Sequence, residues 1–197
     1  MKNSSTQMVY LLLVMMSSLS VCLSAQENNA PGRKGFLFGF SAGAGALFLD
    51  VPGNTEVQKT IDPSFPNLRL GWMLSPKLAA TVQLPGTLYQ NSWEGRKRDR
   101  GFEGILPGLQ YWPKDRLWIS AGIGAALDSP AFYDIKEEAD RKFYFGFGCI
   151  AGAGYEIWRK GKFVIDAQVR LHYGAVPVPS GMQRGLSGNA LIGLNWY

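Results

Sequence analysis

His172 is the single histidine of the chain, in the run Arg170-Leu171-His172-Tyr173-Gly174. An imidazole can act as general base toward a hydroxyl nucleophile when the two lie within hydrogen-bond reach. Ser180 follows in the next connection and Glu156 precedes on the neighbouring segment. Neither has the spacing that would hold it beside His172. A second set of chemistry-bearing residues is Arg69, Glu103, Arg116, Glu156, Asp166 and Arg170, which with His172 suits an internal salt-bridge and hydrogen-bond network. A third is the basic run Arg96-Lys97-Arg98-Asp99-Arg100, matched by the acidic Asp134, Glu137, Glu138 and Asp140. Such a run can touch phosphate groups or an acidic partner. It is too short to suggest nucleic-acid binding. Gly146-Phe147-Gly148-Cys149-Ile150-Ala151 fits a dinucleotide fingerprint in letters only, because that motif needs a strand-to-helix turn. With one histidine and two distant cysteines, Cys22 and Cys149, no metal centre or cofactor is expected.

These residues sit on segments that alternate with period two. In 162–173, Phe163, Ile165, Ala167, Val169, Leu171 and Tyr173 share one parity, and Asp166, Gln168, Arg170 and His172 the other. Successive strand side chains point to opposite faces, so each such segment has one apolar and one polar face. The pattern recurs in 36–48, 66–74, 77–89, 116–127, 141–158 and 184–196, with Gly, Ser and Ala prominent on the polar row. Segment 100–112 is the least regular. Phe102, Leu106 and Trp112 define its apolar parity against Glu103, but Gln110 shares their row and Ile105 and Leu109 do not. Pro107 there predicts a bulge that changes the register. The total is eight strands.

Composition narrows the class. Of 197 residues, 46% are hydrophobic and 13% aromatic, only 18% are charged, and the net charge is +5, which argues against disorder. The 24 glycines follow no three-residue period, so collagen is excluded. No apolar run after residue 25 approaches the ~20 residues of a membrane helix. Before it, Lys2, the apolar stretch Met8–Met16 and the small-residue ending Leu23-Ser24-Ala25 have the anatomy of a signal peptide cleaved after Ala25. The rival reading is a lipoprotein box, Leu19-Ser20-Val21-Cys22, with Cys22 lipidated. The expected organisation is a signal peptide over 1–25, a short lead over 26–35 and one β-domain over 36–197.

Long connections (50–65, 90–99, 128–141, 175–184) alternate with the short ones at Ser75-Pro76-Lys77, Pro113-Lys114-Asp115 and Arg159-Lys160-Gly161. In an up-and-down meander this places the long loops at one end and the tight turns, with both termini, at the other. The small polar row suits the narrow interior of an eight-stranded barrel. Few charges lie on the strands. Aromatics gather at the ends of the apolar rows: Phe36, Phe38, Trp72, Trp112, Phe143, Tyr155, Phe163, Tyr173 and Trp196. This points to an apolar row facing hydrocarbon, hence an all-β, eight-stranded, antiparallel up-and-down transmembrane β-barrel. A closed sheet also leaves no unpaired edge in lipid.

On these features, and on the ending Ala190-Leu191-Ile192-Gly193-Leu194-Asn195-Trp196-Tyr197, residues 35–197 resemble the small outer-membrane β-barrel proteins of the OmpA/OmpX type. The resemblance implies an integral outer-membrane location after export through the periplasm. It implies contact with outer-membrane lipid and lipopolysaccharide, and recognition of the C-terminal strand by the barrel-assembly machinery. It leaves open a structural or surface-interaction role through four extracellular loops, a narrow pore, or a lipid A-modifying enzyme. Barrel lipid A deacylases have a serine two residues after the histidine, where this chain has Gly174, so no enzyme is expected. A soluble lipocalin-like ligand-binding barrel is the alternative with the faces reversed.

Overall fold

The computed structural model describes residues 32–53, 57–93, 96–131, 133 and 141–197, with the backbone alone at 91–93 and 96–97. The expected signal peptide, Cys22, Ala25 and residues 26–31 of the lead lie outside the described residues. So do Asp134, Glu137, Glu138 and Asp140.

Among the described residues nine strands follow in order: β1 Gly35–Asp50, β2 Gln58–Ser75, β3 Leu78–Leu84, β4 Gly86–Trp93, β5 Arg96–Tyr111, β6 Leu117–Pro130, β7 Tyr144–Lys160, β8 Phe163–Val178 and β9 Gly181–Trp196. All ladders are antiparallel, and β1 pairs with β9, so the sheet closes on itself. β3 pairs with β2 on one side and β5 on the other, while β4 continues along β5 in the same register, from Gln83↔Leu106 to Gly86↔Glu103. β3 and β4 are therefore one rung interrupted at Pro85, and the ring has eight rungs. Pro85 has no N–H to give the ladder. Beyond it the β2–β4 seam is held by side chains. Ser64 Oγ donates to the Gly86 carbonyl at 2.9 Å, the Gly86 N–H donates to Asn67 Oδ1 at 3.2 Å, and Gln58 Nε2 donates to the Gln90 carbonyl at 2.7 Å.

The apolar row faces outward on the rungs where alternation is clear. Leu70, Trp72, Ile119, Ile123, Phe145, Phe147, Val169, Leu171, Ile192 and Leu194 are exposed, Ile123 at 65% and Val169 at 61%. Inside, the polar row is buried. A protein with this many exposed Leu, Ile and Phe around its girth presents a continuous apolar belt, the surface that hydrocarbon requires.

β5 departs from the expected faces. Its register with β6 runs without a shift from Arg100↔Pro130 to Tyr111↔Ile119, so Pro107 makes no register-changing bulge. The row Phe102, Leu106, Gln110 and Trp112 is the inner one, while Ile105 and Leu109 are exposed. Here large apolar side chains fill the interior, which inverted the reading of parity. Glu103 consequently pairs across with Leu127 on the outer row and is not a lumen residue. Arg116 lies in the β5–β6 connection and is exposed, so it too is outside the lumen. Trp112 is fully buried and is no part of an outer aromatic girdle.

The tight turns stand where expected, between β2 and β3, β5 and β6, and β7 and β8. Three of the four long connections are shorter than expected because the strands run on, while the one between β6 and β7 stays long. Residues 175–184 hold a turn at Pro179-Ser180 between β8 and β9, and β2 begins at Gln58. The basic run Arg96–Arg100 opens strand β5, paired with β4 from Trp93↔Arg96 to Tyr89↔Arg100. It is thus part of a two-stranded arm, not a loop.

Candidate functional site: a closed lumen and a basic hairpin

The lumen is packed in storeys. At the end carrying the tight turns, Glu156 of β7 is the hub. The Trp112 indole donates to Glu156 Oε1 at 2.8 Å, and the Tyr197 hydroxyl donates to the same oxygen. Arg33, just before β1, reaches in to Glu156 Oε1 at 3.0 Å, and Arg159 binds Oε2. The Arg33 guanidinium also lies over the Trp112 ring, 4.7 Å from its centroid. Burial, and then the adjacent Glu156 carboxylate, push the Tyr197 phenol above its ordinary range, so it stays protonated and donating. Leu37, Met73, Ala79, Trp118 and Val164 pack against this group.

One storey further in, Asp166 of β8 is the hub. The Trp118 indole donates to Asp166 Oδ2 and Gln168 Nε2 to Oδ1, both at 2.8 Å. Arg69 of β2 stands 3.7 Å from Asp166, donates to Asn195, and stacks over Trp118 at 4.6 Å. Arg170 donates to Gln168 Oε1 at 2.5 Å and to Ser41 Oγ at 3.2 Å. Asp166 and Arg170 do not pair directly. Gln168, between them on the same face, bridges the two, as their separation of about 13 Å along the strand requires.

Next comes an apolar collar. The His172 ring lies 4.8 Å from the Phe102 ring, tilted by 32°, and His172 is fully buried. Among the described residues neither ring nitrogen has a hydrogen-bond partner. Leu47 and Leu49 of β1, with Tyr89, close the same level around Phe102. At the far end Asp128 of β6 is a third hub. Arg100 Nε donates to Oδ1 at 2.6 Å, and Tyr89 Oη and Gln183 Nε2 donate to Oδ2 at 2.9 and 2.8 Å.

The inward glycines make this packing possible. A Cβ at Gly154 would overlap the Trp118 indole; one at Gly174 or Gly185 would come within 2.8 Å or less of Phe102. Gly39 similarly leaves room for Arg69 and Asn195. The fingerprint-like Gly146 and Gly148 are strand positions of β7 and cradle no phosphate.

Of the expected lumen set, Arg69, Glu156, Asp166, Arg170 and His172 are inside. Arg69, Asp166 and Arg170 form one network, Glu156 belongs to another, and His172 stands apart. Neither Ser180 nor Glu156 is brought to His172: Ser180 lies in the β8–β9 turn and Glu156 serves the opposite end. In the basic arm Arg100 is committed to Asp128 and to the Lys142 carbonyl at 3.0 Å; Arg96, Lys97 and Arg98 precede it on β5. Parity alone would have revealed Ser41, Trp118, Gln168 and Asn195 as partners. Arg33 gave no signal, because it precedes the first strand.

This architecture is that of a small eight-stranded antiparallel β-barrel with an apolar exterior, and solved structures of that class match it. The crystal structure of Ail, the attachment invasion locus protein of Yersinia pestis, in complex with the heparin analogue sucrose octasulfate, has a TM-score of 0.55 at 11% identity, covering 82% of this chain and 99% of that one. The crystal structure of Neisserial surface protein A (NspA) has a TM-score of 0.51 at 15% identity, covering 81% and 96%. A second crystal structure of Ail has a TM-score of 0.50 at 13% identity, covering 83% and 100%. At these identities the likeness is one of fold. No protein-family model matches the chain, and no curated protein sequence matches it.

Proposed function

We propose that this protein is an integral outer-membrane barrel that works as a surface-interaction protein through the arms at its far end, with a polyanion as partner. The observation that carries the reading is the filled lumen. Three carboxylate hubs and an apolar collar occupy the interior from one end to the other, so the chemistry left to the molecule is on its outside. Supporting it, the β4–β5 arm carries the run Arg96-Lys97-Arg98, residue types that suit phosphate or sulfate. Ail, of like fold, has been crystallised with a sulfated sugar. For this chain the phosphates of lipopolysaccharide are the corresponding ligand. Residues 1–25 direct export, the β-domain follows, and the final strand with Trp196 and Tyr197 is what the assembly machinery reads. His172 is a packing residue, and no catalytic role is assigned.

The test is binding of lipopolysaccharide and of heparin to the barrel folded in vesicles, with and without R96Q/K97Q/R98Q. Salt-sensitive binding lost in the triple variant is expected. Unchanged binding would overturn the assignment. Steady single-channel currents in a planar bilayer would instead favour a pore.

A further inference from the structure

On the outer wall at the turn end, a groove of about 570 Å³ runs between β7, β8, β9 and β1. Phe38, Trp158, Phe163, Ile165, Leu194 and Trp196 line it. Its origin is local. The β7–β8 register shifts between Glu156 and Trp158, so Ile157 and Trp158, adjacent in sequence, are both exposed on the outside, and Arg159 turns in to Glu156. The bulge brings Trp158 to the outer face, where it lines the groove.

Two cations stand at the rim. Lys160 lines the groove, and Lys162 places its Nζ 4.8 Å from the centre of the Trp196 ring. Gly161, at φ 60°, makes the tight turn that puts both on the same short connection. Both are exposed, and among the described residues neither makes an ion pair. The nearest cationic neighbour in sequence, Arg159, is already bound to Glu156 and Asp115.

We propose that this groove is a binding site for an anionic phospholipid of the inner leaflet, its acyl chain lying against the aromatic wall and its phosphate held by Lys160 and Lys162. The inference rests on the outer-membrane reading above, which places this end at the periplasmic interface. An apolar slot fits any lipid chain. The selectivity comes from the two unpaired ammonium groups, which favour a net negative headgroup over a zwitterionic one. Trp158 and Trp196 line the groove at the turn end, the level at which interfacial indoles are stable.

The test uses the barrel folded into phosphatidylcholine vesicles containing brominated phosphatidylglycerol or brominated phosphatidylcholine, read by quenching of tryptophan emission. Insertion is scored first, by faster migration of unheated than heated protein on a gel. For inserted protein, a preference for the brominated anionic lipid of roughly fivefold or more is expected, the effect of one lysine at an anionic surface. It should fall close to unity in K160Q/K162Q. Equal quenching by the two lipids, or a preference that survives K160Q/K162Q, overturns the lipid site alone. Protein that inserts into neither vesicle overturns the membrane reading, and this site with it.

Discussion

Trp118 donates its indole N–H to Asp166 at 2.8 Å while its ring occupies the space where Gly154 has no side chain. One relationship thus ties three rungs, β6, β7 and β8, across the interior, and it depends on the smallest residue and the largest meeting at one place. Gly154→Val is expected to destabilise the barrel by about 1–3 kcal/mol through overpacking. Gly188→Ala meets only Leu171 Cδ2 at 3.5 Å, an ordinary contact, and is expected to leave stability unchanged. Urea unfolding in vesicles, followed by tryptophan emission, distinguishes the two.

The polar storey makes a second demand. Asp166 is fully buried and is the anion beside Arg69. Asp166→Asn removes the nearest countercharge of that guanidinium, and of Arg170 near it, in a closed interior. Breaking a buried pair from one side costs about 3–5 kcal/mol. The folded, fast-migrating band should fall sharply in yield. A variant that folds as well as the parent would show that the network is not what holds the lumen together.

Alkaline titration probes the turn end. Tyr197 has its ionisation raised by burial and then by Glu156. A group whose folded value lies above its unfolded one contributes stability that is complete below the unfolded value and is lost as pH rises. The parent should therefore lose stability above about pH 10, the ordinary tyrosine value. Tyr197→Phe should show a shallower loss there, and a cost of about 1 kcal/mol at neutral pH from the missing hydrogen bond to Glu156.

On the outside, size matters little and charge matters much. Val169 points away from the lumen on β8 and is 61% exposed. Val169→Phe should assemble like the parent, whereas Val169→Arg should cost about 2–4 kcal/mol at the midplane of a bilayer. Its inward neighbour Gln168 bridges Asp166 and Arg170. Gln168→Arg would add a third cation beside Arg69 and Arg170, so it too should fail, for a different reason.

Where small polar residues face in and large apolar residues face out, parity alone shows both rows. This holds on β1, β7, β8, β9 and the second half of β2, and it put Arg69, Asp166, Arg170 and His172 on the inner row, where they are buried. β5 defeats the same logic. A filled barrel needs bulk opposite its glycines, and Phe102 and Leu106 supply it from the inner row, Phe102 against Gly174 and Gly185 and Leu106 against Gly148. A period-two pattern marks two faces but does not name them, and Glu103 was misplaced for that reason. Arg33 and the Asp128 hub were illegible because they depend on which rungs are neighbours around the ring. The basic run was legible as charge. Its place in a paired arm was not, since long polar strands beyond the apolar belt resemble loops in composition.

The most direct measurement is an oxygen-accessibility scan of single spin labels along residues 163–176 of β8, in the barrel folded in vesicles with Cys149→Ser. The account predicts a period of two, with high oxygen exposure at 165, 167, 169 and 171 and low exposure at 166, 168, 170 and 172. Uniform values, or the opposite phase, would contradict the outward-facing apolar row.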